Sequence, residues 1–277
     1  MNNLIRYSCV SVAESILDSC LYKLNQIKKR KRNIPSLSIY SNGSPEGEAY
    51  IRSKKKICEM IGLDCQIHII EKPVIANLPK IAKQIVNDPA SAIIVQLPFF
   101  SRPLRDMELI SFIPPEKDVD GLTRGTYFEP ATAKGIVEFI KRNYLYFTQK
   151  NVVIIGRSKL VGLPLAQMLL TTFSNLTVTV CHSRTKDIKQ FTQNADIIIV
   201  AVGKKDYLTK DMVKENTIVI DVGINKGKDG KLYGDVAKDV NDICYVTPVP
   251  GGVGKLTVAS LMDNVINTKY YIDHYIS

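Results

Sequence analysis

The sequence has 277 residues, of which 45% are apolar, and it carries a formal net charge of +10 from 37 basic and 27 acidic side chains. This length is enough for one large or two medium-sized domains, and no stretch approaches the roughly 18 consecutive apolar residues that a membrane-spanning helix needs. The first residues lack the apolar core of a signal peptide, so we expect a cytoplasmic protein without a membrane partner.

The excess of positive charge favours an anionic ligand, and it leaves nucleic acid open as a partner. The densest basic run, residues 28–32, follows a helix-like segment and precedes Pro35. Basic residues at the end of a helix complement its dipole, so a solvated helix end is the simpler interpretation. The basic stretches are not interleaved with aromatic residues that could stack on bases. Nucleic-acid binding is therefore a remote alternative, and we expect no such partner.

The six cysteines are scattered along the chain without a C-x-x-C pair, and only three histidines accompany them. Structural zinc sites need ligands of these types at short, regular spacings. The sequence therefore predicts no metal site. It favours buried, reduced thiols, which are usual in cytosolic proteins.

Strands and helices alternate through the first half of the chain. Apolar runs predict strands at residues 36–40, 65–70 and 92–95. Helical periodicity predicts one helix that contains Tyr50 and ends at Gly62, and another at residues 78–86. Alternation of this kind is typical of right-handed βαβ units with a parallel sheet, so we expect an α/β fold.

Four polar side chains of this half lie where a ligand could reach them. Tyr50 and Lys54 are four residues apart, so a helix places the phenol and the amine on one face. Gln96 follows the third strand, and open α/β sheets bind ligands at the carboxyl ends of their strands. Asp120 belongs to a turn rich in proline, charge and glycine, where we favour it over Asp118 as the carboxylate that points at a ligand.

The second half of the chain has the pattern of a further α/β unit. We predict helices at residues 133–143, from the turn at 156–164 through 170, and at 256–271, with strands at 151–155, 176–181, 197–200 and 218–221. Apolar runs such as residues 151–155 are typical of strands buried in a parallel sheet.

The segment after the first strand of this half has the form of a dinucleotide-binding turn. A strand, a glycine turn and a helix N-terminus place free N–H groups against a diphosphate. Gly156 and Gly162 do not follow the general G-x-G-x-x-G fingerprint. A tight turn that binds no ligand is therefore an alternative interpretation. The next strand leads to Ser183 and Arg184 rather than to a carboxylate. With Arg157 nearby, this favours the 2′-phosphate of NADP over NAD, although Arg184 could also be a plain surface residue.

Several short motifs follow one another in a recognisable order. They read Y-I-R-S-K-K-K from Tyr50, V-Q-L-P from Val95, K-D-V-D-G from Lys117, G-R-S with V-G-L-P from Gly156, V-I-D-V-G-I-N from Val219, and T-P-V-P-G-G-V-G from Thr247. Each motif alone is modest, but jointly they cover nearly the whole chain. Together they resemble the bifunctional 5,10-methylenetetrahydrofolate dehydrogenase/cyclohydrolase family.

The resemblance implies two α/β domains that flank a cleft, the second of them a Rossmann-type NAD(P)-binding domain. We expect a folate-binding catalytic domain at residues 1–138, joined by the C-terminal helix 256–277, and an NADP-binding domain at residues 139–255. The family also implies a homodimer. Its activity would be the NADP-dependent oxidation of 5,10-methylenetetrahydrofolate to 5,10-methenyltetrahydrofolate, followed by hydrolysis to 10-formyltetrahydrofolate.

The same resemblance assigns roles to individual residues. Lys54 would transfer protons during hydrolysis, and Gln96 would adjust its proton affinity through a hydrogen bond. Asp120 would bind the pterin. The expected catalytic residues are Tyr50, Lys54, Gln96 and Asp120. The expected substrate-binding residues are Tyr50, Gln96, Leu97, Pro98, Asp120, Gly251 and Gly252. The expected cofactor-binding residues are Gly156, Arg157, Ser158, Ser183, Arg184 and Ile224.

The sequence departs from the family pattern at four places. Gly47 stands where the family has serine, the loop after Gly121 is shorter than usual, and Ala131 and Ala133 replace a cysteine and a proline. Lys255 stands where the family has proline. These changes would alter the rim of the substrate site and the rate of the second step. The first alternative is therefore a dehydrogenase with weak or lost cyclohydrolase activity.

Overall fold

The computed structural model describes residues 6–100, 102–143 and 149–275, and the chain folds as two compact α/β units. One unit contains Ser15–Ala131 and Val258–Ser277, and we call it the three-stranded unit. The other contains Met1–Glu14 and Thr132–Thr257, and we call it the five-stranded unit. The predicted α/β fold class is therefore confirmed.

The three-stranded unit contains a parallel sheet with the strand order β2-β1-β3. Its strands are β1 (Ser36–Ser41), β2 (Asp64–Ile69) and β3 (Ala92–Val95). Its helices are most of α1 (Cys9–Lys29), then α2 (Pro45–Ile61), α3 (Leu78–Val86) and α4 (Pro103–Ile110). The predicted strands agree with these bounds to within a residue, whereas the sequence indicates α1 only as a helix-like segment and does not predict α4.

Local sequence sets both ends of α2. Ser44 is the N-cap and its side chain accepts a hydrogen bond from the Gly47 N–H, while Pro45 occupies the first turn, where its missing N–H costs nothing. Gly62 ends the helix in the left-handed conformation with φ of 76°, which glycine adopts without strain. The helix predicted around Tyr50 is therefore confirmed.

The five-stranded unit contains a parallel sheet with the strand order β10-β7-β6-β4-β5. Its strands are β4 (Asn151–Ile155), β5 (Thr177–Cys181), β6 (Ile197–Val200), β7 (Ile218–Asp221) and β10 (Tyr245–Val246), and an antiparallel pair is formed by β8 (Asn225–Lys226) and β9 (Leu232–Tyr233). Its helices are α5 (Ala131–Arg142), α6 (Gly162–Thr172) and α7 (Ile188–Thr192). The very short strands β8 to β10 were not predicted.

The last helix, α8 (Val253–Tyr275), is longer at both ends than predicted. Its residues up to Thr257 belong to the five-stranded unit, and those from Val258 onward belong to the three-stranded unit. Within residues 6–100, 102–143 and 149–275, no helix is long and apolar enough to cross a membrane.

Candidate active site

Lys54 is a buried lysine in the three-stranded unit. It lies on the same face of α2 as Ile51 and Cys58, and only 8% of its surface is exposed. Its Nζ donates a hydrogen bond of 2.8 Å to Gln96 Oε1. Burial lowers the pKa of Lys54, and the nearby carboxylate of Asp120 opposes that effect. The amine is therefore neutral at a lower pH than a surface lysine would be.

Gln96 is held on both sides at the end of β3. Its backbone N–H donates to the Tyr40 carbonyl at 2.8 Å, which continues the pairing of β3 with β1. Its side-chain Nε2 donates to the Leu97 carbonyl at 3.1 Å, so the amide oxygen is turned toward Lys54. The next peptide bond, Leu97–Pro98, is cis. The structure thus places Gln96 at the carboxyl edge of the sheet, as the sequence predicts.

Asp118 organises the loop that contains Asp120. Asp118 is fully buried, and its carboxylate accepts hydrogen bonds from the backbone N–H groups of Gly121 at 3.1 Å, Leu122 at 2.8 Å and Thr123 at 2.6 Å. A carboxylate that accepts several N–H groups holds a loop rigidly. Asp118 therefore points into its own loop, and this structural role was not predicted.

Asn264 of α8 holds the same loop from another side. Its Nδ2 donates to the Val119 carbonyl at 2.9 Å and to the Glu129 carbonyl at 3.0 Å, and the residue is buried. The C-terminal helix therefore fixes the backbone on either side of Asp120. Nothing in the local sequence around Asn264 signals this contact, because its partners are more than a hundred residues away.

Asp120 itself is only partly exposed. Burial raises the pKa of its carboxyl group, the positive charge of Lys54 lowers it, and the negative charge of Asp118 raises it. Tyr50, one turn before Lys54 on α2, is half-buried, and burial raises the pKa of its phenol. The structure therefore brings Lys54 and Gln96 into direct contact and places Asp120 within electrostatic reach of Lys54.

The glycine turn after β4 forms the corresponding feature of the five-stranded unit. The Gly156 N–H donates to the Cys181 carbonyl at 2.9 Å, and its φ of 117° is one that side chains disfavour. A Cβ on Gly156 would collide with the Ala201 carbonyl oxygen, and one on Gly162 would collide with the Gly156 carbonyl oxygen. Only glycine fits at either position, so the chain turns tightly into the N-terminus of α6.

Basic and hydroxyl side chains lie beside this turn because β4 and β5 are neighbours in the sheet. After β5, the His182 N–H donates to Thr185 Oγ1 at 2.9 Å, and the Arg184 N–H donates to His182 Nδ1 at 3.1 Å. This closed turn leaves Ser183 and Arg184 exposed. Arg157 and Ser158 are exposed after β4, and the Ser158 Oγ accepts from the Val161 N–H at 3.3 Å. These groups suit a phosphate-bearing ligand.

The remaining predicted residues follow β7 and β10. Ile224 is 38% exposed after β7. Gly251 has φ of 106° and open space where a Cβ would lie, whereas a Cβ on Gly252 would collide with the Pro248 carbonyl oxygen. All these loops leave the carboxyl ends of parallel strands, which is the edge where such sheets bind nucleotides.

Asp235 is a further buried carboxylate whose hydrogen bonds order a loop. It accepts hydrogen bonds from the backbone N–H groups of Val202 at 2.7 Å, Gly203 at 2.9 Å and Lys204 at 2.8 Å, all in the loop after β6. It also accepts from Asn225 Nδ2 at 2.9 Å. Asp235 was not predicted from the sequence, and it ties the loop after β6 to Asn225 in β8.

Among residues 6–100, 102–143 and 149–275, no cluster of three or more histidine, cysteine, aspartate or glutamate side chains could hold a metal ion. The polar groups near Lys54 are the amide of Gln96 and the carboxylate of Asp120, and both can accept hydrogen bonds from an organic ligand.

The parallel sheet, the glycine turn and the basic loops define an α/β enzyme with an NAD(P)-binding domain. Residues 130–272 match the NAD(P)-binding domain of tetrahydrofolate dehydrogenase/cyclohydrolase, and residues 8–120 match the catalytic domain of the same family. The chain therefore belongs to the tetrahydrofolate dehydrogenase/cyclohydrolase family. This confirms the resemblance, the enzyme class and the Rossmann-type second domain, and the comparisons offer no support for nucleic-acid binding.

Similar proteins cover nearly the whole chain. The bifunctional protein FolD of Thermosipho africanus is 39% identical over 254 residues, which cover 88% of this chain and 92% of that protein. The crystal structure of the bifunctional FolD enzyme from Campylobacter jejuni has a TM-score of 0.84 and 33% identity, with 95% of this chain and 97% of that chain covered. The Trypanosoma brucei enzyme, solved with NADP and an inhibitor, has a TM-score of 0.85 and 29% identity, with coverage of 97% and 98%.

Proposed function

We propose that this protein oxidises 5,10-methylenetetrahydrofolate with NADP and then hydrolyses 5,10-methenyltetrahydrofolate to 10-formyltetrahydrofolate. The observation that carries this assignment is the 2.8 Å hydrogen bond between the buried Lys54 amine and Gln96, with Asp120 in electrostatic reach. Burying an amine away from water costs free energy of folding. A buried lysine with a shifted pKa therefore favours a catalytic role over a purely structural one.

The oxidation requires alignment more than acid–base chemistry, because a hydride leaves a carbon that is already activated by two nitrogens. NADP, when bound, supplies the acceptor for that hydride. We propose that Gly156 and the N-terminus of α6 receive its diphosphate, and that Ile224 contacts its nicotinamide. Ser158 would contribute a hydroxyl near the diphosphate.

We propose NADP rather than NAD because of the side chains beside the turn. Arg157, Ser183 and Arg184 are exposed at the ends of neighbouring strands, where a 2′-phosphate could accept hydrogen bonds from all three. A carboxylate at this place would instead accept from the 2′-hydroxyl of NAD.

The hydrolysis requires proton transfer, and Lys54 is the proposed carrier. Water attacks the positively charged methenyl carbon and loses a proton to the neutral amine. The resulting ammonium then protonates the ring nitrogen that leaves as the ring opens. Burial lowers the pKa of Lys54, and the positive charge of the substrate would lower it further, so both favour the neutral amine. The hydrogen bond to Gln96 holds Lys54 in place during both transfers.

The remaining residues would bind the substrate. We propose that Asp120 accepts hydrogen bonds from the amino group and ring N–H of the pterin, which form a planar donor pair suited to a carboxylate. Tyr50 would pack against the reacting ring from the turn of α2 that precedes Lys54. The other proposed contacts are Leu97, Pro98, Gly251 and Gly252.

A spectrophotometric assay with 5,10-methylenetetrahydrofolate tests the assignment. We expect reduction of NADP with a higher kcat/KM than reduction of NAD, followed by disappearance of the methenyl absorbance faster than it decays without protein. Failure to reduce either nucleotide in the presence of this folate would overturn the proposed function.

A dehydrogenase with weak hydrolysis is the second candidate, and Gly47 is the observation that favours it. A Cβ added at Gly47 would lie 3.4 Å from Gln96 Cγ, which is an ordinary contact, so the family's serine would fit beside Gln96. This chain lacks that hydroxyl. Methenyl-folate would then accumulate during turnover, and the Gly47→Ser variant would reduce the accumulation. Equal accumulation in both proteins would leave Gly47 without a role.

We also propose that the protein is a cytoplasmic homodimer and that its domains follow the predicted limits, 1–138 with 256–277, and 139–255. The family resemblance supports the dimer, and the reduced state expected for the thiols supports the location. Light scattering coupled to size exclusion would test the dimer, for which we expect twice the chain mass of 31.0 kDa.

A further inference from the structure

Asn42 bonds to both of the segments that lead to Lys54 and Gln96. It directly follows β1, and its side chain is half-buried. Gly43 after it has φ of 69°, which lets the chain turn at once toward the start of α2. The N–H of Ser44, the N-cap of α2, donates to Asn42 Oδ1 at 2.9 Å. One end of the Asn42 amide is therefore bonded to the start of the helix that carries Lys54.

The other end of the Asn42 amide contacts the loop after β3. Its Nδ2 donates to the Pro98 carbonyl at 3.0 Å and to the Phe99 carbonyl at 3.0 Å. This loop begins with Gln96, whose own Nε2 donates to the Leu97 carbonyl. Carbonyl oxygens only accept and a backbone N–H only donates, so the double contact needs a side chain with a donor and an acceptor. Asn42 thus joins the loop that orients Gln96 to the start of α2.

Asp106 holds the backbone N–H groups of the same loop. Its carboxylate accepts hydrogen bonds from the Phe99 N–H at 3.3 Å and from the Phe100 N–H at 2.6 Å, and the residue is 4% exposed. Asp106 therefore fixes the loop to its own helix, α4, whereas Asn42 fixes it to the segment that leads into α2. Removal of Asn42 should leave the loop attached to α4 but release its bond to that segment.

We propose that Asn42 is a positioning residue for the hydrolytic step, because its amide sets the separation of Lys54 and Gln96 by joining the segments that carry them. The proposal rests on the proposed function, since the separation affects turnover only if Lys54 carries the proton. The hydrogen bond between Lys54 and Gln96 is 2.8 Å long and depends on both segments. Misplacing a catalytic group by about 1 Å can lower a rate by up to about a hundredfold.

Two substitutions separate the two ends of the amide. Asn42→Asp keeps an acceptor for the Ser44 N–H but loses the donor for the Pro98 and Phe99 carbonyls, whereas Asn42→Ala loses both. We expect cyclohydrolase turnover to fall about tenfold in both variants, with dehydrogenase turnover reduced less than about twofold, because hydride transfer does not use the Lys54 amine. If Asn42 only shaped the start of α2, Asn42→Asp would behave as wild type, and that result would overturn the proposal.

The matched control is Asn87→Asp in the same unit. Asn87 is exposed, and its Nδ2 donates to the Lys83 carbonyl at 2.8 Å. This substitution makes the same change of charge and removes the same kind of hydrogen bond, but both turnovers should stay at the wild-type level. Urea unfolding of all variants measures any general loss of structure. Equal loss of both steps in Asn42→Asp and Asn42→Ala would assign Asn42 a structural role alone and reject positioning.

A double variant tests whether Asn42 acts through Lys54. Lys54→Met has already lost the amine, so adding Asn42→Ala should lower the residual hydrolysis by less than about twofold. A further loss of about tenfold in the double variant would show that Asn42 acts through another group, and the proposal would be wrong. Wild-type protein that reduces neither nucleotide with 5,10-methylenetetrahydrofolate would instead reject the proposed function.

Discussion

The two units of this protein present polar groups in opposite ways. In the three-stranded unit, the polar groups of the site are buried side chains: Lys54 is 8% exposed, and burial shifts the pKa values of Lys54, Asp120 and Tyr50. In the five-stranded unit, Arg157, Ser183 and Arg184 are exposed on short loops, and glycine turns bring backbone N–H groups to the sheet edge.

This contrast matches two different tasks: buried groups suit proton transfer, and exposed groups suit the binding of a phosphate. Desolvation changes the proton affinity of a group, so a buried amine can exchange a proton near neutral pH. Binding a phosphate needs no such change, since exposed arginines and backbone N–H groups keep their charge or dipole over a wide pH range. Both units nevertheless contain buried aspartates, such as Asp118 and Asp235, that each accept hydrogen bonds from three backbone N–H groups.

The largest effect is expected for Lys54→Met. Methionine has a similar length and no proton to transfer, so cyclohydrolase turnover should fall by at least about a hundredfold while some dehydrogenase activity persists. Coupled measurement of the two steps checks this. Lys56→Met is the matched control, because Lys56 is exposed on the same helix and should keep both activities. Full hydrolysis by Lys54→Met would remove Lys54 from its proposed role.

Asp120→Asn should separate substrate from cofactor. The amide keeps the shape of the carboxylate but offers an N–H where the pterin also donates, so the folate KM should rise about tenfold or more. The NADP KM should change little, because Asp120 is not in the five-stranded unit. Steady-state kinetics with each substrate varied in turn gives both values. Equal losses for the two substrates would indicate misfolding instead.

Asp118 and Asp235 allow the same substitution to be tested once in each unit. Asp118→Ala and Asp235→Ala each leave three backbone N–H groups without their acceptor, and each should lower the free energy of unfolding by about 2 to 4 kcal/mol. Urea unfolding measures that loss. Binding measurements on the folded variants should then show weaker folate binding for Asp118→Ala and weaker NADP binding for Asp235→Ala. The reverse pattern would contradict the loop assignments.

Arg184→Gln tests recognition of the 2′-phosphate. Loss of one charged donor to a phosphate costs about 1 to 2 kcal/mol, so the NADP KM should rise by about tenfold. NAD lacks the 2′-phosphate, and its KM should stay constant. The KM for NAD, measured on the same variant, is the control for a general loss of nucleotide binding. An equal change for both would place Arg184 away from the 2′-phosphate.

The smallest effect concerns the pH dependence of stability. Because folding lowers the pKa of Lys54, the unfolded chain binds more protons between that lowered pKa and about 10.4. Lys54 should therefore make the protein more stable as pH rises through this window. Below the lowered pKa both states are protonated, and the contribution is constant. Across this window, urea unfolding should show the free energy of unfolding of wild type rising relative to that of Lys54→Met, whereas Lys56→Met should run parallel to wild type.

Much of the fold could be predicted because its signals are local. The strands at β3, β4, β6 and β7 are short apolar runs, and their predicted bounds match the structure. The helix with Tyr50 and Lys54 has an N-cap, a proline in its first turn and a glycine after its end, all within one stretch of chain. Short features such as α4 and β10 were not predicted, because eight or two residues contain too little periodicity.

The sequence by itself determined the α/β alternation, the glycine turn and the types of residue available for chemistry, because these follow from neighbouring residues. Only the tertiary structure decided that Lys54 is buried against Gln96, and that Asp118 rather than Asp120 accepts the hydrogen bonds of its own loop. Those outcomes depend on which distant segments exclude water from a side chain. Burial and proton affinity are therefore properties of the packed chain and cannot be assigned to a residue in isolation.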